Sequence, residues 1–314
     1  MSIKKIISSG LKVPRELMKT VTYRIRRDIS VNPKCKKMLK DAPPQLSGTQ
    51  QKVLEELKGT GISLVSLEKL FDQNAPHWIK LLSQVKDEFL GSERVKREIA
   101  DRLSKNPGGT SKPYRVTRNV RDDEMPIDDP VMQLGLQSEI LDVVNSYMGL
   151  WTKLVYADVW HTFVRGGSAN REASQNWHRD WEDDPLVKVF LYMSDVNSTS
   201  GPFEFIMHSR RGEKYTSLFR PSNLLPGYHN YPSPEVIAKE VEKEHILSCC
   251  GPTWTIIFCD TSGFHRGGYS TDGARTMGLL TYVSPASACP NYCKLNGKAD
   301  LSKLAPAAKF ALQD

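Results

Sequence analysis

The chain has 314 residues, 43 Lys and Arg against 36 Asp and Glu, a net charge of +7, and an ordinary share of apolar and charged side chains for a globular protein. No apolar run approaches the ~18 residues that cross a membrane. The basic excess is local: residues 1–43 hold 12 Lys or Arg and 3 Asp or Glu, net +9, which leaves 31 basic and 33 acidic residues, net −2, for the remainder, so the body excludes a genome-binding face and no nucleic-acid partner is expected.

The arm of residues 1–43 scatters apolar residues such as Ile6, Leu11, Leu17 and Ile25 among its basic ones. It is expected to be a solvated, partly ordered segment that packs on the body. Its other reading is an amphipathic helix on an anionic membrane surface or an acidic partner. No long apolar stretch follows the basic start, so no secretory signal is expected. Six cysteines that include the vicinal pair Cys249-Cys250 make an awkward disulfide framework. Reduced thiols in a cytoplasmic protein are the simpler expectation. Cys289 and Cys293 lack a second pair at zinc-site spacing.

Ala42-Pro43-Pro44 separates the arm from a single domain over 44–314, with a helical part over 44–150 and a β core over 151–285. Periodicity predicts helices over Gln51–Lys58 (closed by Gly59 and Gly61), Leu67–Phe71, Trp78–Leu103 and Pro130–Tyr147 (ended by Gly149), with a short strand over Ile62–Val65 and a loop over Ser104–Pro113. After Gly149 the pattern turns to short strands: Leu154–Val164, Val187–Met193, Phe203–Met207, Thr253–Cys259 and Arg275–Val283. Turn signals such as Gly201-Pro202 and Asp272-Gly273 separate them, which points to a barrel or jelly roll rather than βαβ units. The Pro-rich loop Pro221–Pro234, with Tyr228, His229 and Tyr231, reads as a lid. Ser233-Pro234 then reads as the cap of a helix running to about Leu247.

His178-Arg179-Asp180 carries the chemistry. On a strand, alternate side chains share a face, so His178 and Asp180 point the same way. With one more imidazole they form a two-His-one-carboxylate facial triad, which leaves open positions on Fe(II). His265 is the best placed of the other histidines, just past a strand and the turn-like Asp260–Gly263, and before Arg266-Gly267-Gly268. His161, inside an alternating strand, reads more simply as a packed core histidine, and His77, His208, His229 and His245 sit in helical or loop contexts. Arg275, ten positions after His265, heads an apolar strand. A guanidinium buried there needs a partner, and it holds a carboxylate in two-point fashion; a surface salt bridge is its plain alternative. Trp177, Trp181, Tyr228, Tyr231 and Trp254 are candidates for an aromatic pocket or for core, and Arg210, Arg211 and Lys214 for an anion site or a solvated face.

Taken together, His178-Arg179-Asp180, the strand after it, Gly201-Pro202-Phe203-Glu204, His265 and Arg275 resemble the phytanoyl-CoA dioxygenase superfamily over roughly residues 51–285. The resemblance implies a double-stranded β-helix (a cupin-like jelly roll) with flanking helices. It also implies a 2-oxoglutarate-dependent non-haem iron dioxygenase that hydroxylates a C–H bond of a small molecule with O2, releasing succinate and CO2. Carried over by position, His178, Asp180 and His265 bind iron, and Arg275 holds the distal carboxylate of 2-oxoglutarate. Gln175, Thr162 and Tyr192 are further candidates for polar contacts to that cosubstrate. Met207-His208-Ser209-Arg210-Arg211 stands where the family usually has Pro-Gly-Ser-His-Arg, which weakens inference about substrate more than about metal. A different class of function stays open, that of a non-catalytic β-helix protein binding a partner through its basic arm. Substrate identity and oligomeric state are not legible.

Overall fold

The computed structural model describes residues 22–104, 114–119, 124–164, 171–218, 232–296 and 300–313. Residues 1–21 of the arm, most of the Ser104–Pro113 loop, and Tyr228, His229 and Tyr231 of the expected lid lie outside the described residues.

Alternation along single strands dictates the layering. In β4 (Val187–Tyr192), Val187, Val189 and Leu191 enter one hydrophobic cluster while Phe190 and Tyr192 enter another. A strand with two apolar faces must be covered twice. One cover is helical: α2 (Gly48–Thr60), α4 (Ala75–Gly91), α6 (Pro130–Gly135) and α7 (Ser138–Met148) supply much of the first cluster. The other is a second sheet. Around β4 runs a six-stranded antiparallel sheet in the order β1 (Ile62–Ser66), β7 (Thr255–Asp260), β4, β9 (Arg275–Val283), β3 (Lys153–Thr162) and β2 (Arg115–Thr117). The facing sheet has the order β6 (Ile246–Cys249), β5 (Phe203–Ile206) and β8 (His265–Gly267). Phe203, Phe205 and Cys249 from it meet Phe190, Tyr192 and Ile257 between the sheets. This is the double-stranded β-helix that the resemblance implied.

Several elements differ from the sequence expectation. The capping box of Ser47 and Gln50 starts α2 earlier than Gln51, and Gly61, at φ 90°, closes it. The stretch Trp78–Leu103 is two helices, α4 and α5 (Glu93–Leu103), because Ser92 is extended. Pro130–Tyr147 likewise breaks at Gln137 into α6 and α7. The helix from Ser233 stops at Glu240 as α8 (Pro234–Glu240), and Ile246–Cys249 is β6, paired with β5 through Leu247 and Phe205. Lys-Glu-rich helix propensity yields there to sheet pairing. Three-residue strands such as β2 and β8 are too short to leave a period in the sequence.

The described part of the arm packs on the body. Tyr23 Oη donates to Asp183 Oδ1 at 2.7 Å, Arg26 reaches Pro285 O at 2.8 Å, and Cys35 of α1 (Asn32–Asp41) lies in the main core.

Gly135 offers a test of packing between helix and sheet. Alanine usually stabilises a helix over glycine by about 0.5–1 kcal/mol. Here an added Cβ would lie 2.7 Å from Tyr282 Oη and 2.9 Å from Leu280 Cδ2, whereas at Gly59 it would meet nothing within 4 Å. Gly135→Ala is expected to cost about 1–3 kcal/mol by overpacking, and Gly59→Ala to cost nothing. Thermal melts of both variants check this, and equal midpoints would contradict it.

Candidate metal centre

A single pair of backbone hydrogen bonds sets the site. His178 N donates to His265 O and His265 N to His178 O, both at 2.9 Å, an isolated antiparallel bridge at the edge of β8. Residues that exchange both bonds stand directly opposite, with side chains on one face. The two imidazole rings are accordingly 4.3 Å apart, centroid to centroid. Asp180 follows two residues on, fixed by its N–H to Thr261 O at 3.0 Å. The expected strand over His178–Asp180 is thus only this bridge, because the chain leaves the sheet directly afterwards.

Hydrogen bonds also decide which ring nitrogens face inward. His178 Nδ1 is 2.8 Å from Asn176 O and His265 Nδ1 is 3.0 Å from Gly263 O. A carbonyl only accepts, so each Nδ1 carries the proton and each Nε2 presents a lone pair. His178 Nε2 is 3.8 Å from Asp180 Oδ1, and His265 Nε2 is 3.3 Å from Asp180 Oδ2. One ligand atom from each of the three residues lies within 4.8 Å of the others.

The charges suit a cation. Burial pulls the His178 pKa down to about 3, so its ring is neutral and able to ligate. Burial pushes the Asp180 carboxyl up, but Lys188 and the two imidazoles outweigh it and hold the group well below the usual carboxylate range. Lys188 Nζ lies 2.7 Å from Asp180 Oδ2 and 3.2 Å from Glu182 Oε1. Oδ2 nonetheless has no partner in hydrogen-bonding geometry and is buried. Lys188 is a close ion-pair partner of this oxygen, and the carboxylate keeps further lone pairs for a metal. An anionic carboxylate beside two Nε2 lone pairs fits a divalent metal.

The triad opens on a cavity of about 380 Å³, of the size that holds a small molecule. Its floor is the inner face of the large sheet. Arg275, Met277, Leu279 and Thr281 of β9 all line it, a span of six residue steps or roughly 20 Å at ~3.3 Å per residue. Arg275 is buried at one end, paired in register with Thr162. Its guanidinium hydrogen-bonds Gly201 O, and its Nε has no partner. At the other end stand Lys188, Tyr156 and Thr281, opposite one another across β4, β9 and β3.

Of the remaining candidates, Gln175 and Thr162 line the cavity. Tyr192 does not. Its hydroxyl donates to Cys249 O at 2.6 Å and accepts from Phe203 N, so it stands behind Arg275 rather than facing a ligand. Trp177 is buried under the Arg266 guanidinium, and Trp254 packs against the main core, so only Trp181 of the described aromatic candidates reaches the cavity. Further aromatic walls include Tyr156, Trp160, Phe190 and Tyr292, which strand alternation on β3 and β4 could have disclosed for the first three. Lys188 was legible by the same rule. Arg210, Arg211 and Lys214 are each ion-paired, with Glu213, Asp184 and Glu242.

No family model and no curated protein matches the chain. Solved structures do. The epimerase SnoN, in complex with Fe3+, alpha ketoglutarate and nogalamycin RO, is 15% identical, with 80% of this chain and 92% of that one covered at a TM-score of 0.50. EctD from S. alaskensis, with 2-oxoglutarate and 5-hydroxyectoine, is 14% identical, with 87% and 89% covered at a TM-score of 0.51. At such identities the likeness is one of fold: this chain shares the jelly-roll architecture of those proteins.

His161 faces away from the cavity. Its Nδ1 is 2.9 Å from Thr276 Oγ1, its ring stacks on Phe163, and burial lowers its pKa from 6.5 to about 4. Between those values the folded chain binds fewer protons at this ring than the unfolded chain, so stability is complete above 6.5 and falls as pH drops toward about 4. His161→Phe is expected to make the acid side of the stability profile shallower. Urea unfolding at a series of pH values reads this, and identical slopes in both proteins would contradict it.

Proposed function

We propose that the protein is an Fe(II)- and 2-oxoglutarate-dependent oxygenase that hydroxylates a C–H bond of a small organic substrate, with O2 consumed and succinate and CO2 released. The observation that carries this reading is the convergence of two inward Nε2 lone pairs and a buried carboxylate on one point of a cavity that also contains an under-satisfied buried guanidinium. The shared fold supports it, since SnoN and EctD are described with iron and alpha ketoglutarate and with 2-oxoglutarate respectively.

In this reading His178, Asp180 and His265 hold the metal. When bound, iron and 2-oxoglutarate supply oxidative decarboxylation and the oxidising equivalent for the C–H bond. The chain's own residues do the rest. Arg275 offers its open Nε side to the distal carboxylate of the cosubstrate, where a planar fork matches two oxygens. Gly201 O and Tyr192 fix the guanidinium from behind. Thr162 and Gln175 add polar groups at that end of the cavity. The carbonyls of Asn176 and Gly263 hold the two Nδ1 protons, which fixes each ring's orientation and raises its basicity as a ligand. Met277, Leu279 and Phe190 keep the floor between the two polar ends apolar and exclude water from it. A carboxylate at position 180, rather than a small residue, suits hydroxylation over halogenation.

A cytoplasmic location is part of the proposal: all six cysteines are unpaired, and among the described residues no helix is long and apolar enough to cross a membrane. A non-catalytic role for the basic arm is the less favoured reading, because it gives the buried Asp180 oxygen and the Arg275 Nε no use.

Asp180→Ala separates the two. Loss of a metal ligand is expected to lower succinate formation from 2-oxoglutarate by at least about a hundredfold, beyond the 10–100-fold typical of residues that only support a ligand. Unchanged succinate formation in folded Asp180→Ala protein would contradict the assignment, and loss of function only on deleting residues 1–43 would favour the arm.

A further inference from the structure

The cavity holds a cation that neither the metal centre nor the cosubstrate anchor uses. Arg115 and Arg275 both stand opposite Thr162 in register, one on β2 and the other on β9. Their side chains diverge. Arg275 turns toward Gly201 and Tyr192. Arg115 lies over Trp160, its central carbon 3.4 Å from the ring centroid. Trp160 in turn donates Nε1–H to Tyr156 Oη at 2.9 Å, so the guanidinium sits over a shelf made by Trp160 and Tyr156, within the lining of the cavity.

This guanidinium has no ion pair and no hydrogen bond among the described residues. The acid whose charge acts on it is Asp158, already occupied: it accepts from Asn119 N at 2.9 Å, Val159 N at 2.7 Å and Tyr156 Oη at 2.9 Å. Arg115 is partly buried, and desolvation lowers the pKa of its guanidinium. Burial of an unpaired guanidinium is costly. Cation–π contact with Trp160 offsets part of that cost but satisfies none of the five N–H donors.

The charges of the cavity point to what is missing. Lys188 is balanced by Asp180 and Glu182. In the proposed function Arg275 is balanced by 2-oxoglutarate. Arg115 remains. We propose that Arg115, stacked on Trp160, binds an oxyanion of the substrate, and that the substrate is therefore a small organic acid whose apolar body lies over the floor between Arg115 and the metal centre. The term substrate rests on the oxygenase reading; the binding of an acid at Arg115 does not.

Metal-free protein is titrated with phenylacetate, phenyl phosphate and the neutral phenylacetamide, and the fluorescence of the tryptophans is followed, since Trp160 lies directly beneath the site. At least one acid is expected to bind about tenfold or more tightly than the amide, in line with a charge-assisted hydrogen bond. Preference for carboxylate or phosphate identifies the oxyanion. Arg115→Met is expected to abolish the preference, and Arg115→Lys, which keeps the charge without the fork, to retain part of it. The same variants are then titrated anaerobically with Fe(II) and 2-oxoglutarate, whose half-saturation is expected to stay as in the parent protein. Equal binding of acid and amide by the parent protein, including none by either, overturns the proposal. So does an Arg115→Met or Arg115→Lys protein that needs tenfold more 2-oxoglutarate, which would make Arg115 a second cosubstrate contact. A protein that prefers the acid but gives no signal with Fe(II) and 2-oxoglutarate keeps the Arg115 site and discards the oxygenase reading.

Discussion

Two backbone hydrogen bonds between His178 and His265 hold the site together. They join a segment that leaves the sheet at once to a strand of only three residues. Side chains on such a pair have little choice of direction. Both rings must rise on the same face, and with their Nδ1 protons tied to carbonyls both Nε2 atoms must point to the same place. Asp180 reaches that place through its own backbone bond to Thr261. A rearrangement of the β8 edge would therefore dismantle all three positions at once.

Electrostatics impose a second constraint. The inner face of the large sheet is apolar along much of its length, and charges placed there interact strongly because little water screens them. The structure spaces them along β2, β4 and β9 and holds each by different neighbours. Lys188 lies between Asp180 and Glu182, and these two carboxylates raise its pKa against the desolvation that lowers it. Arg275 is braced by Gly201 and Tyr192. Gly201 takes φ 73°, and an added Cβ there would come within 2.7 Å of Gly268 O, so glycine is needed for the carbonyl to face Arg275. Guanidinium and ammonium groups thus stand ready at both ends of one cavity.

Much of this was legible in the sequence, for physical reasons that also mark its limits. Period-two alternation survives burial, so β3, β4, β7 and β9 could be found, and the same alternation implies that Tyr156, Trp160, Lys188 and Phe190 share the cavity face. The spacing of His178 and Asp180 pointed to a shared face even though their segment forms no extended strand. His265 and Arg275 were found from their positions relative to strands. Tyr192, a candidate by position in the resemblance, has its hydroxyl bonded to Cys249 O, a partner that position alone does not disclose. β2 and β6 were missed because pairing with neighbours, not local composition, makes them strands, and Arg115 went unnoticed with β2. Helix breaks at Ser92 and Gln137 were invisible because the apolar period continues across them.

The central claim is that the triad and Arg275 form one working site for a metal and a 2-oxoacid. Its most direct measurement is an anaerobic titration of metal-free protein with Fe(II) and then 2-oxoglutarate, followed by visible absorption. An assembled site gives a metal-to-ligand charge-transfer band that is absent from His265→Ala and that needs far more 2-oxoglutarate in Arg275→Ala. Folded protein that binds no Fe(II), or that gives no band once both are present, would contradict it.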